Sequence, residues 1–269
     1  MHYFRIGFVL FLAWADLVFP DDWNGTDYAR HSSVQISHAE RLLNGLKLQP
    51  NDWVLDLGCG DGKITALLAE HVPKGRVIGI DPSDSMLEKA KSSFPNLCFL
   101  RGKAEDFSLE ARFDHIIAIH VMHWVKAQKT ALTNIYNHLK PNGQIHFILA
   151  PSKEGLPFHN ALQQTLQSYA EDFVGFENPQ QVFDIETYRK LLVESGFYID
   201  ALHYVYHESI LEGRLALQSW IQQWLPHGKH LSEPKKTSFF NELMDHYPDP
   251  TRWGEYLLII EATKPIWSE

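Results

Sequence analysis

The stretch from Val54 to Lys63 reads Val-Leu-Asp-Leu-Gly-Cys-Gly-Asp-Gly-Lys, and no other part of the chain constrains the fold as strongly. Apolar residues surround one acid, Asp56, and glycine then recurs at every second position, as Gly58, Gly60 and Gly62. The apolar part predicts a buried parallel strand. The glycines predict a tight turn where main chain comes very close to a ligand. Ile64 to Glu70 predicts a helix. Strand, glycine turn and helix in that order build a binding crevice at the carboxyl end of a strand in open α/β sheets. An ordinary corner without a ligand is the alternative, but a plain turn does not need the chain entropy that three glycines cost.

The spacing then selects among ligands. A dinucleotide fingerprint needs G-x-G-x-x-G, and here Lys63 stands where the third glycine should be. A phosphate-cradling P-loop needs a Lys-Ser/Thr pair after four spacers, which is also missing. What remains is an acid in the strand, Asp56, which repels pyrophosphate and attracts a cation. The chain alternates strand and helix through Trp53–Leu57, Lys63–His71, Arg76–Ile80, Ser85–Ser93, Leu97–Leu100, Phe113–Ile119, a helix to Leu139, and Gln144–Leu149 after a Pro141-Asn142-Gly143 turn. That alternation implies a parallel sheet with right-handed crossovers. An amphipathic helix over residues 27–46 precedes it. Beyond it, Glu186–Ser195 predicts a helix, Phe197–Tyr206 a strand, 211–246 a helical excursion with Leu217, Trp220, Ile221 and Trp224 on one face, and Tyr256–Ala262 a closing strand.

Three further segments fall at successive strand ends. Asp81 closes the second strand within Gly79-Ile-Asp-Pro-Ser-Asp-Ser-Met86. An acid there matches a vicinal diol with its two oxygens, so Asp81 alone predicts a nucleoside of some kind. Ala104-Glu105 follows the third strand, and His120-Val-Met-His123-Trp124 follows the fourth. Taken singly, Met86 reads equally as a core methionine, Glu105 as a solvated acid, and each histidine as a packed residue.

Together these segments resemble the motifs of class I S-adenosylmethionine (SAM)-dependent methyltransferases. SAM carries a sulfonium and an ammonium and no phosphate, which suits an acidic strand end. The His-Trp pair is similar to that of the subgroup acting on small carboxylic acids, which includes the trans-aconitate, juvenile hormone acid and malonyl-carrier-protein methyltransferases. Asp27-Tyr28-x-x-x-Ser32-x-x-Gln35 resembles the subgroup's first helix, which closes over the cofactor. The resemblance covers residues 22–150 well and 151–269 weakly. It implies a Rossmann-like α/β fold with a seven-stranded, mostly parallel sheet, flanking helices and a helical insertion near the C-terminus. It implies SAM as cofactor, held by Tyr28, Gln35, Asp56, Gly58, Cys59, Gly60, Asp81, Pro82, Met86, Ala104, Glu105 and His120. The acceptor would meet His123, Trp124, Trp220 and Trp224. A carboxylate acceptor is ionised at neutral pH and needs no base. A hydroxyl or amine acceptor would need one, with His120 and His123 as first candidates. The arginine that would suit a carboxylate is not placed by the motifs; Arg30, Arg189, Arg214 and Arg252 are candidates. An NAD-linked oxidoreductase and a non-catalytic SAM-fold protein that docks a partner through Trp220 and Trp224 are the competing classes.

Composition bounds the rest. The 269 residues suffice for one α/β domain, with helical cap elements at about 151–180 and 211–246. A net charge of −9 without a basic run argues against nucleic acid as partner. Fifteen histidines are scattered without zinc spacing, and Cys59 and Cys98 predict free thiols in a cytoplasmic protein. Residues 1–20 form an apolar extension whose Ala13-Trp-Ala15 resembles a signal-peptide cleavage site, so secretion or membrane association stays open as an alternative, although the run is short for a membrane span.

Overall fold

A computed structural model describes residues 33–151, 156–181 and 183–266. Seven strands form one sheet in the order β3-β2-β1-β4-β5-β7-β6. Strands β1 (Trp53–Leu57), β2 (Arg76–Asp81), β3 (Cys98–Arg101), β4 (Phe113–Ile119) and β5 (Leu139–Leu149) are parallel. Strand β7 (Arg252–Thr263) runs antiparallel between β5 and β6 (Tyr198–Ile210). The helices in chain order are α1 (Ser33–Gly45), α2 (Lys63–His71), α3 (Asp84–Ser93), α4 (Gln128–His138), α5 (Pro157–Ser168), α6 (Ile185–Glu194), α7 (Arg214–Trp224), α8 (His227–His230) and α9 (Glu233–His246).

The period-two alternation of the strands sorts their side chains onto two faces. Leu55, Leu57, Ile78, Ile80, Ile116, Ala118, Ile145 and Phe147 pack with Leu132 and Ile135 of α4 and Tyr188 and Leu192 of α6. The neighbours Val54, Val77, Ile117, Ile119, Ile148, Leu257 and Ile259 face the other way, toward Ala39, Leu42 and Leu43 of α1 and Leu68 of α2. Both faces are covered, which is why these strands are apolar almost throughout. A separate cluster joins α5, α7 and α9 through Ala161, Leu217, Trp220, Ile221, Phe239, Phe240 and Leu243, and takes in Val34 of α1 and Trp253 of β7.

Two segments depart from the expected pattern. Pro141-Asn142-Gly143 lies inside β5 rather than in a turn. The pairing with β4 slips between Phe113 and His115, and Asn142 takes φ of 61°, so the strand absorbs the turn residues as a bulge. The excursion over 211–246 is three helices. Pro226 follows α7, and Ser232 caps the start of α9 just before Pro234, so neither break permits a continuous ladder of hydrogen bonds. Tyr28, Arg30 and residues 1–20 lie outside the described residues. No helix among the described residues is long and apolar enough to cross a membrane.

Candidate active site

The glycine turn needs each of its glycines. Gly58, Gly60 and Gly62 have φ of 75°, 51° and 83°, a region that side-chain-bearing residues rarely occupy. A Cβ on Gly58 would come within 2.2 Å of Val121 Cγ2, so the turn after β1 packs directly on the segment after β4. This is where the strand order reverses, the place at which open α/β sheets bind ligands. The amides of Gly58 and Cys59 both donate to Ile80 O, at 2.7 and 2.9 Å, and so fix the turn to the end of β2.

Asp81 ends β2 beside this turn. Its Oδ2 accepts from Gly60 N at 3.0 Å and its Oδ1 from Ser83 N at 2.8 Å. Burial pushes its carboxyl up to about 6, against the pull of those two amides. Each oxygen keeps a lone pair beyond these bonds, which is what a diol requires. Pro82 and Ser83 carry the chain into α3, where Met86 is buried with Leu87 and Ala90. Ala104 is buried and Glu105 half-buried in the segment after β3, and Gly102 N donates to Asp81 O at 3.2 Å. Cys59 is buried against Phe99, and both cysteines are free.

Asp56 is tied into the turn. It is 2% exposed, and its Oδ2 accepts from the Thr65 hydroxyl of α2 at 2.6 Å. Burial raises its carboxyl to about 7, against the pull of the Thr65 hydroxyl. Its bond to Thr65 braces the turn against α2. Thr65→Val is expected to cost about 1–3 kcal/mol, the scale for stranding a buried acceptor, with Thr65→Ser close to wild type. Urea unfolding of the two variants checks this.

The segment after β4 opens onto a cavity. His120 has φ of 58°, rare for a residue with a side chain and of the kind found at functional sites. A single 3₁₀ turn, Met122–Trp124, follows. Gln35, His120, His123, Trp124, Trp220 and Trp224 all line this cavity, so α1, the segment after β4 and α7 bring six sequence-predicted residues together. The Trp220 indole donates to Gln35 Oε1 at 3.2 Å, which leaves the amide NH2 of Gln35 as its remaining polar function at the wall. Apolar lining comes from Leu156, Phe158, Leu162, Leu225 and Trp253. His123 Nδ1, Trp224 Nε1 and His227 Nδ1, all on lining residues, are buried without a hydrogen-bond partner. Burial holds His123 down to about 3 and His227 to about 4, so both rings are neutral.

No lysine or arginine is among the described lining residues. Arg189 pairs with Glu186, Arg214 with Asp245 and Arg252 with Glu208, all outside the cavity. None of these three sequence candidates lines the cavity. The sequence reading also missed two residues. His38 of α1 is fully buried, and its Nδ1 lies 2.6 Å from His120 Nε2. Glu255 of β7 lines the cavity and sits 3.6 Å from His38 Nε2. The one signal for His38 was its spacing, since it shares a helix face with Gln35 and Leu42.

Residues 54–143 match the family described as Methyltransferase domain. The trans-aconitate 2-methyltransferase of Azoarcus sp. (strain BH72) is 28% identical over 200 residues, which cover 74% of this chain and 78% of that one. The trans-aconitate 2-methyltransferase of Enterobacter sp. (strain 638) is 28% identical over 241 residues, 84% of this chain and 90% of its own. Among solved structures, phosphoethanolamine N-methyltransferase 2 of Haemonchus contortus superposes with a TM-score of 0.58 at 14% identity, over 90% of this chain and 57% of that one. At that identity the superposition speaks for the fold alone. The domain match, the relatives and the glycine turn at the switch point of a 3-2-1-4-5-7-6 sheet converge on one assignment: the chain is a class I SAM-dependent methyltransferase, with S-adenosylmethionine as its cofactor.

Proposed function

We propose that the protein methylates the carboxylate of a small acid with an apolar body. The observation that carries this reading is the cavity beside His120: aromatic and aliphatic walls dominate it, neutral amides of Gln35, Asn178, Gln180 and Gln181 border it, its unpartnered polar atoms are neutral ring nitrogens, and its described lining has no lysine or arginine. An acid with several carboxylates would be stranded there without counter-charges. A single carboxylate on an apolar body fits, with the Gln35 amide and the Trp224 indole as donors to its oxygens. The names of the trans-aconitate relatives support an acid acceptor in general, and a described lining without lysine or arginine argues for fewer charges than trans-aconitate carries.

The cofactor fits the crevice between the glycine turn and the segment after β4. Asp81 holds the ribose diol, Gly58, Cys59 and Gly60 offer main chain at close range, and Pro82, Met86, Ala104 and Glu105 border the adenine. Gln35 and His120 stand between this crevice and the acceptor cavity. Bound there, SAM supplies an electrophilic methyl group. The residues of the chain position the carboxylate oxygen in line with it and exclude water, through Trp124, Trp220, Trp224 and Phe158. Carboxylate and sulfonium give ester and S-adenosylhomocysteine with no net proton released, so the reaction balances without a general base.

The test is a panel of acceptors with SAM, read by mass spectrometry. Methyl esters are expected from apolar monocarboxylic acids, at rates at least tenfold above those from tricarboxylic acids. Methylation of phenols or amines alone would replace this reading with one in which His120 acts as base.

A further inference from the structure

The cavity that takes the acid already contains one. Glu255 lines it, and its Oε1 accepts from the Trp253 indole at 2.7 Å. Behind it stands His38, fully buried, whose Nε2 faces Glu255 at 3.6 Å and has no hydrogen-bond partner. An orphaned buried nitrogen beside a buried carboxylate calls for an explanation. His38 Nδ1 continues the line to His120 Nε2 at 2.6 Å, and His120 reaches the cavity. Three titratable side chains from three elements, β7, α1 and the segment after β4, thus form one file that starts and ends at the cavity wall.

Two carboxylates cannot both stay ionised in an enclosed site without a counter-charge. Among the described lining residues no lysine or arginine supplies one. We propose that Glu255, His38 and His120 act as one proton-holding relay: binding of the acid acceptor is accompanied by uptake of one proton into the relay, which presents it as His120 Nδ1–H to the bound carboxylate. This rests on the acid-acceptor reading above.

The tautomers permit it. With Glu255 ionised, His38 Nε2–H points to Glu255, His38 Nδ1 accepts from His120 Nε2–H, and His120 Nδ1 is bare. One added proton, placed on His120 directly or shifted along the file to Glu255, leaves His120 Nδ1 protonated in either case. Interacting groups of this kind titrate as a unit. The groups facing the file are His123, 6.0 Å from His120 between ring centroids, His207 of β6, opposite Glu255 in the sheet register and 4.5 Å from His38 between ring centroids, Tyr247 after α9, and exposed Arg41 of α1. Burial raises Glu255 to about 7, lowers His120 to about 4 and holds His38 far below its ordinary range. Glu255 is therefore the member that gains a proton near neutrality. The sign follows: a raised carboxyl keeps its proton below its folded value and loses it above, so acid binding weakens as pH rises past about 7.

His38 and Glu255 are positioning residues, because they act through His120. The test is calorimetry of an apolar monocarboxylic acid binding to the S-adenosylhomocysteine complex, in buffers of different ionisation enthalpy. At pH 8 wild type should take up close to one proton per acid bound, and the affinity should fall about tenfold per pH unit above 7. Glu255→Gln, whose neutral amide donates to His38 Nε2 as the protonated carboxyl would, should take up no proton and bind the acid with an affinity flat from pH 6 to 9, at least tenfold above that of wild type at pH 9, with cofactor affinity unchanged. Equal uptake in wild type and Glu255→Gln would overturn the relay. If no acid binds wild type at all, the acid-acceptor reading fails separately, and the relay is judged by ¹⁵N resonances of labelled histidines. Their His38 and His120 signals should move together near pH 7 in wild type and stay still in Glu255→Gln. Unmoved wild-type signals would refute the coupling.

Discussion

Gly58→Ala is expected to damage both stability and cofactor binding, although it adds a single methyl group. The residue sits at φ of 75°, where an L side chain costs about 1–2 kcal/mol. Its new methyl would meet Val121 Cγ2 at 2.2 Å and Cγ1 at 2.9 Å, and overpacking of that kind costs about 1–3 kcal/mol more. A stability loss of about 2–5 kcal/mol follows from the two together. The same strain shifts the main chain of Cys59 and Gly60, so cofactor affinity should fall with it. Urea unfolding and calorimetry with S-adenosylhomocysteine measure the two effects. The double variant Gly58→Ala/Val121→Ala should recover the steric part of the loss and not the part due to the positive φ. Full recovery would mean that the left-handed turn has no energetic weight.

Asp81→Ala is expected to weaken cofactor binding by about 1.5–3 kcal/mol, the scale for hydrogen bonds to a charged group. That is a loss of roughly tenfold to 150-fold. The side chain does two jobs, because its oxygens already tie Gly60 N and Ser83 N together before any ligand arrives. Part of the loss is therefore a loosened turn. Asp81→Asn separates the parts, since its amide keeps one acceptor and surrenders the charge. Burial raises Asp81 to about 6, so wild-type affinity should decline as pH falls through 6 and the carboxylate is neutralised, whereas Asp81→Asn should be flat over that range. Wild-type affinity indifferent to both substitutions would remove Asp81 from the cofactor site.

The geometry of the proposed cofactor crevice was legible in the sequence because it depends on backbone conformation and strand order. Three positive φ angles demand glycine, and the alternation of strand and helix puts Asp81, Ala104 and His120 at one end of the sheet before any distance is known. The acceptor half was legible only in part. Trp220 and Trp224 were identifiable as one helix face, and both reach the cavity. His38 and Glu255 were not identifiable, because their partnership joins α1 to β7 across more than two hundred residues and leaves no local pattern. A histidine on an amphipathic helix and a glutamate at the start of an apolar strand each look ordinary alone. The bulge at Asn142 escaped for a related reason. Pro-Asn-Gly is turn chemistry, and only pairing with β4 and β7 on either side keeps it in a strand. The carboxylate arginine was sought by analogy of charge, and Arg189, Arg214 and Arg252 lie away from the cavity, in ion pairs.

The two-chambered site is tested most directly by a crystal structure with S-adenosylhomocysteine and an apolar monocarboxylic acid bound together. The account predicts the ribose diol on Asp81, the sulfur at the opening between Gly58 and His120, and the carboxylate in the cavity within hydrogen-bonding reach of Gln35 and His120. A nucleoside lodged away from Asp81, or an acid carboxylate held by an arginine outside the cavity, would contradict it.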